Sequence, residues 1–504
     1  MTDSRRPGRL VAAGLGVLGV AAGVAVAELV AASWRPAAGP VVAVGATVID
    51  ATPTPLKEFA VRTVGSADKP LLLTGIAVLL TVLAAAAGIL ARRHRRYALA
   101  AGALLGLIGA TAAVTRPTAG WTDAVPSLAG GVVAAGALLL LLNSRPVAEA
   151  EAAPAGFDRR AFLAAAVVVG AGAAGGGALL LRRRSGGAIT AARQAIDLPA
   201  AADAAPPLPN GVGPGFVTAN ADFYRVDTAL TLPRIDVDSW RLTLGGMVDQ
   251  PATFSFADLL DRPLIERHIT LNCVSNEVGG PYVGTAKWLG VPLAPLLREA
   301  GVRPGADQLV ARSVEGMSIG TPVAALLDGR DAMLAVGMNG EPLPITNGFP
   351  VRMLTPGLYG YAGSCKWLTE LELTRFADVD VYWVQRGWAA DGPVKTASRI
   401  DRPLPFAQLT AGTVQVMGVA WAQTRGIRRV EVQVDGGAWQ PAELLPVPSV
   451  DTWVQWRFAW QATAGPHSLR VRATDARDDT QTADRATPFP DGATGWHTVT
   501  VTVS

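Results

Sequence analysis

The two cysteines of this chain are the side chains whose type points most directly to chemistry. Cys273 lies in the stretch LNCVSNE and Cys365 in SCKW, and the 504 residues contain no third cysteine. A cysteine in such a setting packs in a core, forms half of a disulfide, or binds a soft metal as a thiolate. From these residues alone, a disulfide between the two and a metal thiolate are equally favoured.

Most other familiar cofactor motifs are missing from the sequence. The histidines are scattered, at His94, His268, His467 and His497, so two axial ligands for a membrane haem are not expected. Paired-cysteine zinc spacing and HExxH do not occur, no GxGxxG follows a predicted strand, and no Walker-type GxxxxGK is present. The sequence therefore predicts neither haem nor NAD as the cofactor.

The elements that must hold these residues follow a long apolar front end. Hydrophobic residues make up 50% of the chain, and the excess lies before residue 185. Five windows are apolar and long enough to cross a bilayer: Leu10–Ala32, Leu71–Ala91, Tyr97–Val114, Ala124–Leu142 and Ala161–Leu181. The run AVLLTVLAAAAGILA has no polar stripe at helical spacing, and Glu28 is the main polar exception. We therefore predict an all-α transmembrane bundle of about five helices over residues 1–185.

Positive charges in the short flanks indicate the orientation of these spans. SRRPGR precedes the first span, ARRHRR (91–96) separates the second and third, and Arg145, Arg159 and Arg160 lie before the fifth. The positive-inside rule then predicts a multi-pass protein of the plasma membrane whose residues after about 185 are extracytoplasmic, although LRRRSGG (181–187) conflicts with this. The stretch FDRRAFLAAAVVVGAGAAGGGALLL (157–181) resembles a twin-arginine export signal, which predicts export of a folded, cofactor-loaded domain.

Three further segments follow the membrane region. Residues 186–219 are rich in Ala, Pro and Gly and are predicted to be a linker, and residues 220–405 mix short β-like runs with helical pieces, as in an α+β domain. Residues 406–504 are predicted to form a series of consecutive β-strands. In RRVEVQVDGGAW, valines alternate with polar residues, and a turn is predicted at Asp435-Gly436-Gly437. About seven strands predict a C-terminal immunoglobulin-like β-sandwich. The net charge of +3 gives no basic stripe for nucleic acid.

Two long motifs carry a resemblance to a known family. ITLNCVSNEVGGPYVGTAKWLGVPLAPLL (269–297) and NGFPVRMLTPGLYGYAGSCKWLTELEL (347–373) together resemble the molybdopterin-binding domain of the sulfite oxidase family. The C-terminal segment resembles that family's dimerisation domain, so the resemblance covers about residues 220–504. It implies a molybdenum–molybdopterin cofactor with Cys273 as the metal ligand. A disulfide would remove that soft donor and becomes the less favoured alternative.

The resemblance also implies a set of site residues. The cofactor-binding positions are Tyr224 and Arg225 in DFYRVD, Cys273, Asn347 and Arg352 in NGFPVR, and Ser364, Cys365 and Lys366 in SCKW. Lys366 is placed to pair with the pterin phosphate, and Cys365 is interpreted as a small packed neighbour. The catalytic positions are Cys273, Arg225, Trp288 and, from the C-terminal domain, Arg425.

Departures from the family pattern bear on the substrate. Glu277 follows Asn276 where sulfite oxidases have an arginine, and Trp388 falls near the position of the family's active-site tyrosine. Loss of a cation makes sulfite a doubtful substrate. Alternatives are a reductase resembling the periplasmic methionine-sulfoxide reductase catalytic subunit, and a cofactor-free binding module. The resemblance further implies a small-molecule substrate, a separate electron carrier or redox partner, and a homodimer through the C-terminal domain.

Overall fold

The computed structural model describes residues 8–53, 56, 68–116, 119–143 and 187–504. These residues form two compact units. One comprises the described residues up to Gly187 together with Thr228–Leu232, and the other comprises residues 188–227 with 233–504. The sequence motifs of interest all fall in the second unit.

The first unit is helical. Its helices in the described part are α1 (Arg9–Trp34), α2 (Pro40–Ala51), α3 (Asp68–Ala91), α4 (Arg95–Val114) and α5 (Val125–Asn143), with 3-10 turns at Pro36–Ala38 and Trp121–Ala124. Four of the described helical stretches are long and apolar enough to cross a membrane: Arg9–Ser33, Lys69–Ala91, Arg95–Val114 and Trp121–Leu142. They coincide with the first four predicted windows. The fifth window, the twin-arginine stretch and nearly all of LRRRSGG lie outside the described residues.

Small residues let these helices approach closely. Helix α1 packs along α3 and α5, and α4 packs along α5. A Cβ atom added at Gly16 would collide with the backbone of Ala84 and Gly88, so these positions require glycine. Glu28 is buried, and its Oε1 accepts a hydrogen bond of 3.0 Å from the Val41 N–H at the start of α2. The polar exception in the first span therefore stabilises the end of a neighbouring helix.

The first part of the second unit is a mixed α+β domain built on two sheets. One sheet has the strand order β2-β1-β11-β5-β6, and the other has the order β10-β9-β7-β4-β3 with β8 paired to β7. Its strands are β1 (Arg241–Gly246), β2 (Ala252–Ser255), β3 (Ile265–Asn272), β4 (Val283–Pro292), β5 (Gln308–Ser313), β6 (Ser318–Pro322), β7 (Met333–Met338), β8 (Glu341–Pro342), β9 (Arg352–Leu354), β10 (Ser364–Cys365) and β11 (Leu368–Thr374). Its helices are α6 (Gly187–Gln194), α7 (Phe256–Leu260), α8 (Leu293–Ala300), α9 (Val323–Leu327) and α10 (Gly360–Gly363). Most strand neighbours are antiparallel, whereas β1 and β11 are parallel.

The segment interpreted from composition as a linker lies against this domain. It contains α6, and Arg193 Nη2 from that helix pairs with Glu341 Oε2 at 2.8 Å. Phe216 is 2% exposed, and its carbonyl accepts a hydrogen bond of 3.0 Å from the Trp453 indole. The abundance of Pro and Gly thus reflects an extended path over the domain surface, held by a few long-range contacts, rather than a free tether.

The last part of the chain is a two-sheet β-sandwich. One sheet has the order β12-β14-β18-β17 and the other β13-β20-β19-β15-β16, and residues of both sheets share one apolar core. The strands are β12 (Ala397–Arg402), β13 (Gln408–Leu409), β14 (Gly412–Trp421), β15 (Ile427–Val434), β16 (Trp439–Pro441), β17 (Glu443–Leu444), β18 (Val454–Ala462), β19 (Gly465–Asp475) and β20 (His497–Val503). The predicted β15 hairpin is confirmed: Val430 and Val432 are buried, and Asp435 and Gly436 both have positive φ, as a tight primed turn requires.

Strand β12 begins before the domain boundary predicted at residue 406. It pairs with β14 along five residues, with a shift of register between Ile400 and Arg402. The sequence ASRIDRP alternates too weakly to be recognised as a strand, and only its partner in the sandwich makes the assignment plain.

Candidate active site

The Cys273 thiol lies just after β3, where the chain turns toward β4. Its backbone N–H donates to the Tyr282 carbonyl at 3.0 Å, and its own carbonyl accepts from the Asn276 N–H at 3.1 Å. Burial raises the pKa of the thiol, while hydrogen bonds with Ser275 and the charge of Lys366 lower it. Both Cys273 and Cys365 are free, so no disulfide joins them. The turn therefore holds one buried soft donor in a fixed place.

A cluster of charges joins the DFYRVD loop to the SCKW motif. Lys366 Nζ lies 2.8 Å from Asp227 Oδ2 and donates to the Val226 carbonyl at 3.2 Å. Arg225 Nε lies 2.8 Å from the same Asp227 oxygen. Burial lowers the pKa of Lys366 to about 8, although Asp227 opposes that shift. Two predicted cofactor-binding cations are thus brought to one carboxylate.

Arg352 gathers a second group of predicted residues. Its Nε donates to Ser364 Oγ at 2.8 Å and its Nη1 to the Asn347 carbonyl at 3.4 Å. Its guanidinium carbon lies 5.4 Å from the ring centroid of Trp288. Arg352 is 7% exposed, and burial lowers its pKa. A buried guanidinium whose described partners are uncharged is costly to maintain, which marks this as a place for an anionic or strongly accepting ligand.

A glycine holds the two groups close together. Gly348 has a φ of +116°, and a Cβ atom there would lie 3.1 Å from the Cβ atoms of both Arg352 and Lys366. The NGFPVR and SCKW segments can therefore approach only because residue 348 is glycine.

Tyr224 and Trp288 complete the predicted pterin side of the site in different ways. Burial raises the pKa of Tyr224, with a further rise from Cys273 and an opposing effect of Arg352. The phenol is therefore within electrostatic reach of both the thiol and the guanidinium. Trp288 is completely buried, and its indole donates to the Ile269 carbonyl at 3.2 Å. Trp288 therefore supports Arg352 from the core and has no face open to solvent.

Glu315 is a site residue that the sequence motifs did not reveal. It lies in the turn between β5 and β6, and its Oε2 atom is buried with no hydrogen-bond partner among the described residues. Burial raises the pKa of its carboxyl, while Ser313 and Lys366 lower it and Asp227 raises it. The same carboxyl helps raise the pKa of Cys365. An acceptor of this kind next to Lys366 is typical of a binding site rather than of a core.

The remaining predicted residues have packing or ion-pair partners of their own. Cys365 is 1% exposed within the apolar core, so it is placed as a packed neighbour. Arg425 lies between β14 and β15, with Nε 2.8 Å from Asp475 Oδ2 and Nη2 2.9 Å from the Val394 carbonyl. Trp388 is 5% exposed and packs against Tyr361, with ring centroids 5.8 Å apart. Whether Arg425 and Trp388 meet a substrate stays a prediction.

A cavity of about 260 Å³ lies between the Cys273 turn and the sandwich. Asn272, Asn276 and Glu277 line it from the turn, and Tyr359 lines it from the segment before α10. The sandwich side contributes residues 395–398, Trp421 and the loops at 479–482 and 493–495. Since Asn272 precedes Cys273 directly, the cavity borders the backbone that carries the thiol.

Comparison with known proteins identifies the domain that carries these groups. Residues 229–383 match a family model described as the oxidoreductase molybdopterin binding domain. This part of the chain is therefore similar to molybdopterin-binding domains of oxidoreductases, and the similar proteins include sulfite oxidases. The mitochondrial sulfite oxidase of Mus musculus is 29% identical over 354 residues, which span 59% of this chain and 64% of that enzyme.

Two other relatives of this molybdopterin-binding domain differ in activity. Nitrate reductase [NADH] 1 of Oryza sativa subsp. japonica is 28% identical over 55% of this chain and 37% of its own length. Among solved structures, the sulfane dehydrogenase SoxCD of Paracoccus pantotrophus is similar over 53% of this chain and 75% of that chain, with 24% identity and a TM-score of 0.48. The chain thus spans between about a third and two thirds of the curated relatives named here.

The residues of the molybdopterin-binding domain fit the group for which the family is named. A thiolate suits a metal whose other ligands are sulfur and oxo groups. Arg352 and Lys366 offer cationic donors to a phosphate, and the unpartnered Glu315 Oε2 offers an acceptor to the N–H edge of a pterin. The chemistry of this cluster is therefore compatible with such a cofactor.

Proposed function

We propose that the chain is a membrane-anchored, molybdopterin-dependent oxidoreductase whose Cys273 thiolate binds molybdenum outside the cytoplasm. The observation that carries the proposal is the combination of a buried thiol, a buried arginine, a largely enclosed lysine and an unpartnered carboxyl oxygen. Cys273 and Arg352 are buried, the Lys366 side chain is 12% exposed, and the Oε2 atom of Glu315 is buried without a hydrogen-bond partner among the described residues. The four residues come from separate segments, and packing alone gives no reason to enclose these groups together. A buried polar group without a partner costs about 1–3 kcal/mol, which a ligand recovers.

The bound group would supply two-electron oxygen-atom-transfer chemistry, with the metal passing between its oxidised and two-electron-reduced states. The protein holds and tunes this group. Because burial raises the pKa of Cys273, its thiol stays protonated until a cation takes the proton's place. Binding therefore releases a proton, and it is favoured by the nearby charge of Lys366.

The pterin side of the group is assigned to the two cation clusters. Lys366 is proposed to pair with the phosphate, with Arg225 on the more exposed rim. Arg352 is proposed to donate to the pterin, oriented by Ser364 and by the carbonyl of Asn347. Tyr224, whose pKa responds to both Cys273 and Arg352, is proposed to contact the pterin from the same side.

The residues of the site indicate the cofactor more directly than they indicate whether the enzyme oxidises or reduces its substrate. Glu277 lines the cavity beside the Cys273 turn, in the place where sulfite oxidases have a cation. A carboxylate there repels an oxyanion, so sulfite is disfavoured. This favours as second candidate a reductase of the sulfoxide type with the same fold. A cofactor-free binding module is the third candidate, and the retained thiol and unpartnered carboxyl oppose it.

The apolar helices and the β-sandwich are proposed to serve in membrane anchoring and dimerisation. The four apolar helices are proposed to anchor the protein in the plasma membrane, with a fifth span and export by the twin-arginine route placing the catalytic unit outside. Electrons then pass to or from a separate carrier. The β-sandwich is proposed to be immunoglobulin-like and to join two copies of the chain.

The decisive experiment measures molybdenum and pterin per chain in the full-length protein purified in detergent. Wild type should hold close to one molybdenum, and Cys273→Ser should hold almost none. Cys365→Ala removes a thiol that is also buried but lies in the apolar core, and it should keep its metal. Wild-type protein without molybdenum would overturn the enzyme proposal in favour of the binding module.

A further inference from the structure

The cavity next to the Cys273 turn contains two buried hydrogen-bond donors without acceptors. Asn272 is 1% exposed; its Oδ1 accepts from Gln423 Nε2, whereas its Nδ2 has no partner among the described residues. Tyr359 is 6% exposed, and its hydroxyl oxygen accepts a hydrogen bond of 3.4 Å from the Lys395 N–H. No described hydrogen bond uses the Tyr359 O–H as a donor. Both side chains line the same cavity.

Both donors lie next to the thiol. Asn272 precedes Cys273 directly in the chain, and ionisation of Cys273 would raise the pKa of the Tyr359 phenol. Burial raises the pKa of Tyr359 to about 12, so the hydroxyl keeps its proton at neutral pH. A buried donor that lacks an acceptor requires an explanation, and two that line one cavity have a common one: an acceptor atom that is bound there.

The remaining lining indicates the charge of the ligand. Besides amides and hydroxyls, the described residues around the cavity include the carboxylates Glu277 and Asp479 and a single amine, that of Lys395. Lys395 Nζ already binds Asp491 Oδ1 at 2.9 Å and the Gly492 carbonyl at 2.8 Å. No arginine is among the described lining residues. The Arg425 guanidinium donates to Oγ1 of the lining residue Thr396 at 3.1 Å, but it is already paired with Asp475. An oxyanion would therefore face carboxylates, while the nearby cations have partners of their own, so the lining selects against it.

The size of the cavity agrees with a small organic molecule. A volume of about 260 Å³ lies a little below the range of pockets that enclose drug-sized ligands. The carbon-bearing surfaces of Trp421, Ala397 and Ala493 line part of the wall and suit alkyl groups. We propose that Asn272 Nδ2 and Tyr359 Oη donate hydrogen bonds to the acceptor oxygen of an uncharged organic substrate held in this cavity. As an assignment of substrate class, this rests on the proposed oxidoreductase function.

The test uses dimethyl sulfoxide as an uncharged probe and sulfite as the oxyanion. Binding to the full chain in detergent is measured by saturation-transfer NMR of the probe methyl signal, with sulfite added as a competitor. Tyr359→Phe and Asn272→Asp should each weaken the binding of dimethyl sulfoxide by about tenfold, the value of one hydrogen bond. Asn272→Asp keeps the acceptor oxygen that Gln423 uses.

Tyr361→Phe is the matched control. Tyr361 is also buried and lies two residues away, but its hydroxyl donates to the Asp391 carbonyl at 3.2 Å and does not line the cavity. This variant should bind dimethyl sulfoxide as wild type does. Equal binding by wild type, Tyr359→Phe and Asn272→Asp would overturn the proposal. So would displacement of the probe by equimolar sulfite.

Failure of this inference can be separated from failure of the proposed function. The two donors belong to the protein, so the probe should bind to metal-free Cys273→Ser as well as to loaded wild type. Wild type that holds molybdenum but shows no effect of either donor substitution contradicts the substrate class alone. Wild type without molybdenum that still shows both effects contradicts the enzyme and leaves the cavity assignment in place.

Discussion

Lys366 Nζ and Asp227 Oδ2 lie 2.8 Å apart, and the Asp227 side chain is only 3% exposed. This pair ties the SCKW motif to the DFYRVD loop and leaves Lys366 in surroundings that lower its pKa to about 8, mainly through burial. The lysine is therefore charged in the folded protein at neutral pH but loses its proton more readily than a lysine in water. Binding of the pterin phosphate should therefore depend on pH through the protonation of Lys366.

We expect cofactor retention to fall above about pH 8. Below that pH Lys366 is already charged, so its attraction for a phosphate is constant. Above it, a proton must be taken up on binding, and affinity falls by about tenfold per pH unit. Pterin retained after dialysis at increasing pH measures this. In the Lys366→Arg variant the guanidinium does not titrate in this range, so its pterin retention should not change with pH. An equal decline of retention in wild type and variant would contradict the assignment.

Glu315 gives a prediction that no sequence motif suggested. Replacing it by Gln preserves its size but removes the negative acceptor, so pterin content should fall about tenfold if Oε2 accepts from the pterin N–H edge. Glu299→Gln is the control, since Glu299 is an exposed carboxylate paired with Arg262 at 2.9 Å. Pterin fluorescence after oxidation of the released cofactor is the measurement. Full pterin content in Glu315→Gln would assign the residue to the fold instead.

The contrast between Lys366 and Glu315 shows what the sequence could and could not predict. Lys366 lies in a long family motif, and the spans and the β15 hairpin have periodic patterns, so all could be recognised locally. Glu315 lies in the turn of the β5–β6 hairpin and approaches Lys366 only because β5 pairs with β11. Asn272 and Tyr359 likewise become distinctive only because each has a buried donor without an acceptor among the described residues. Such relationships arise from tertiary contacts and have no signature along the chain.

Arg425 separates a structural role from a catalytic one. Its Nε lies 2.8 Å from Oδ2 of Asp475, whose side chain is 1% exposed. Arg425→Met leaves a buried carboxylate without its cation, so we expect a loss of about 3–5 kcal/mol in the free energy of unfolding. Adding Asp475→Asn removes the charge but keeps an acceptor, and should recover part of this loss. Thermal and denaturant unfolding provide the measurement.

Activity gives the second readout for the same pair. If Arg425 acts only by holding the sandwich loop, the Arg425→Met/Asp475→Asn double variant should regain activity together with stability. A double variant that is stable but inactive would instead assign Arg425 to the substrate, as the family resemblance implies. Molybdenum content, measured in parallel, excludes loss of cofactor as the cause.

Two histidines of the sandwich should influence stability in opposite directions as the pH changes. Burial lowers the pKa of His497 to about 4; Arg399 and Arg485 lower it further, and Asp401 opposes them. The Ile400 N–H donates to its Nδ1 at 3.0 Å, and its ring lies against Gly279 beside the Cys273 turn. Since the unfolded chain takes up this proton first, stability is lost as the pH falls from about 6.5 to 4.

The contribution of His467 to stability changes with pH in the opposite direction. Its Nδ1 lies 2.7 Å from Asp435 Oδ2, and this bond raises its pKa above the ordinary value. Its contribution is fully present below about pH 6.5 and is lost as the pH rises through the raised pKa. His467→Gln should therefore destabilise the protein mainly in acid, whereas His497→Gln should make the unfolding temperature less sensitive to acid between pH 6.5 and 4. Parallel unfolding curves for the two variants across this range would contradict both assignments.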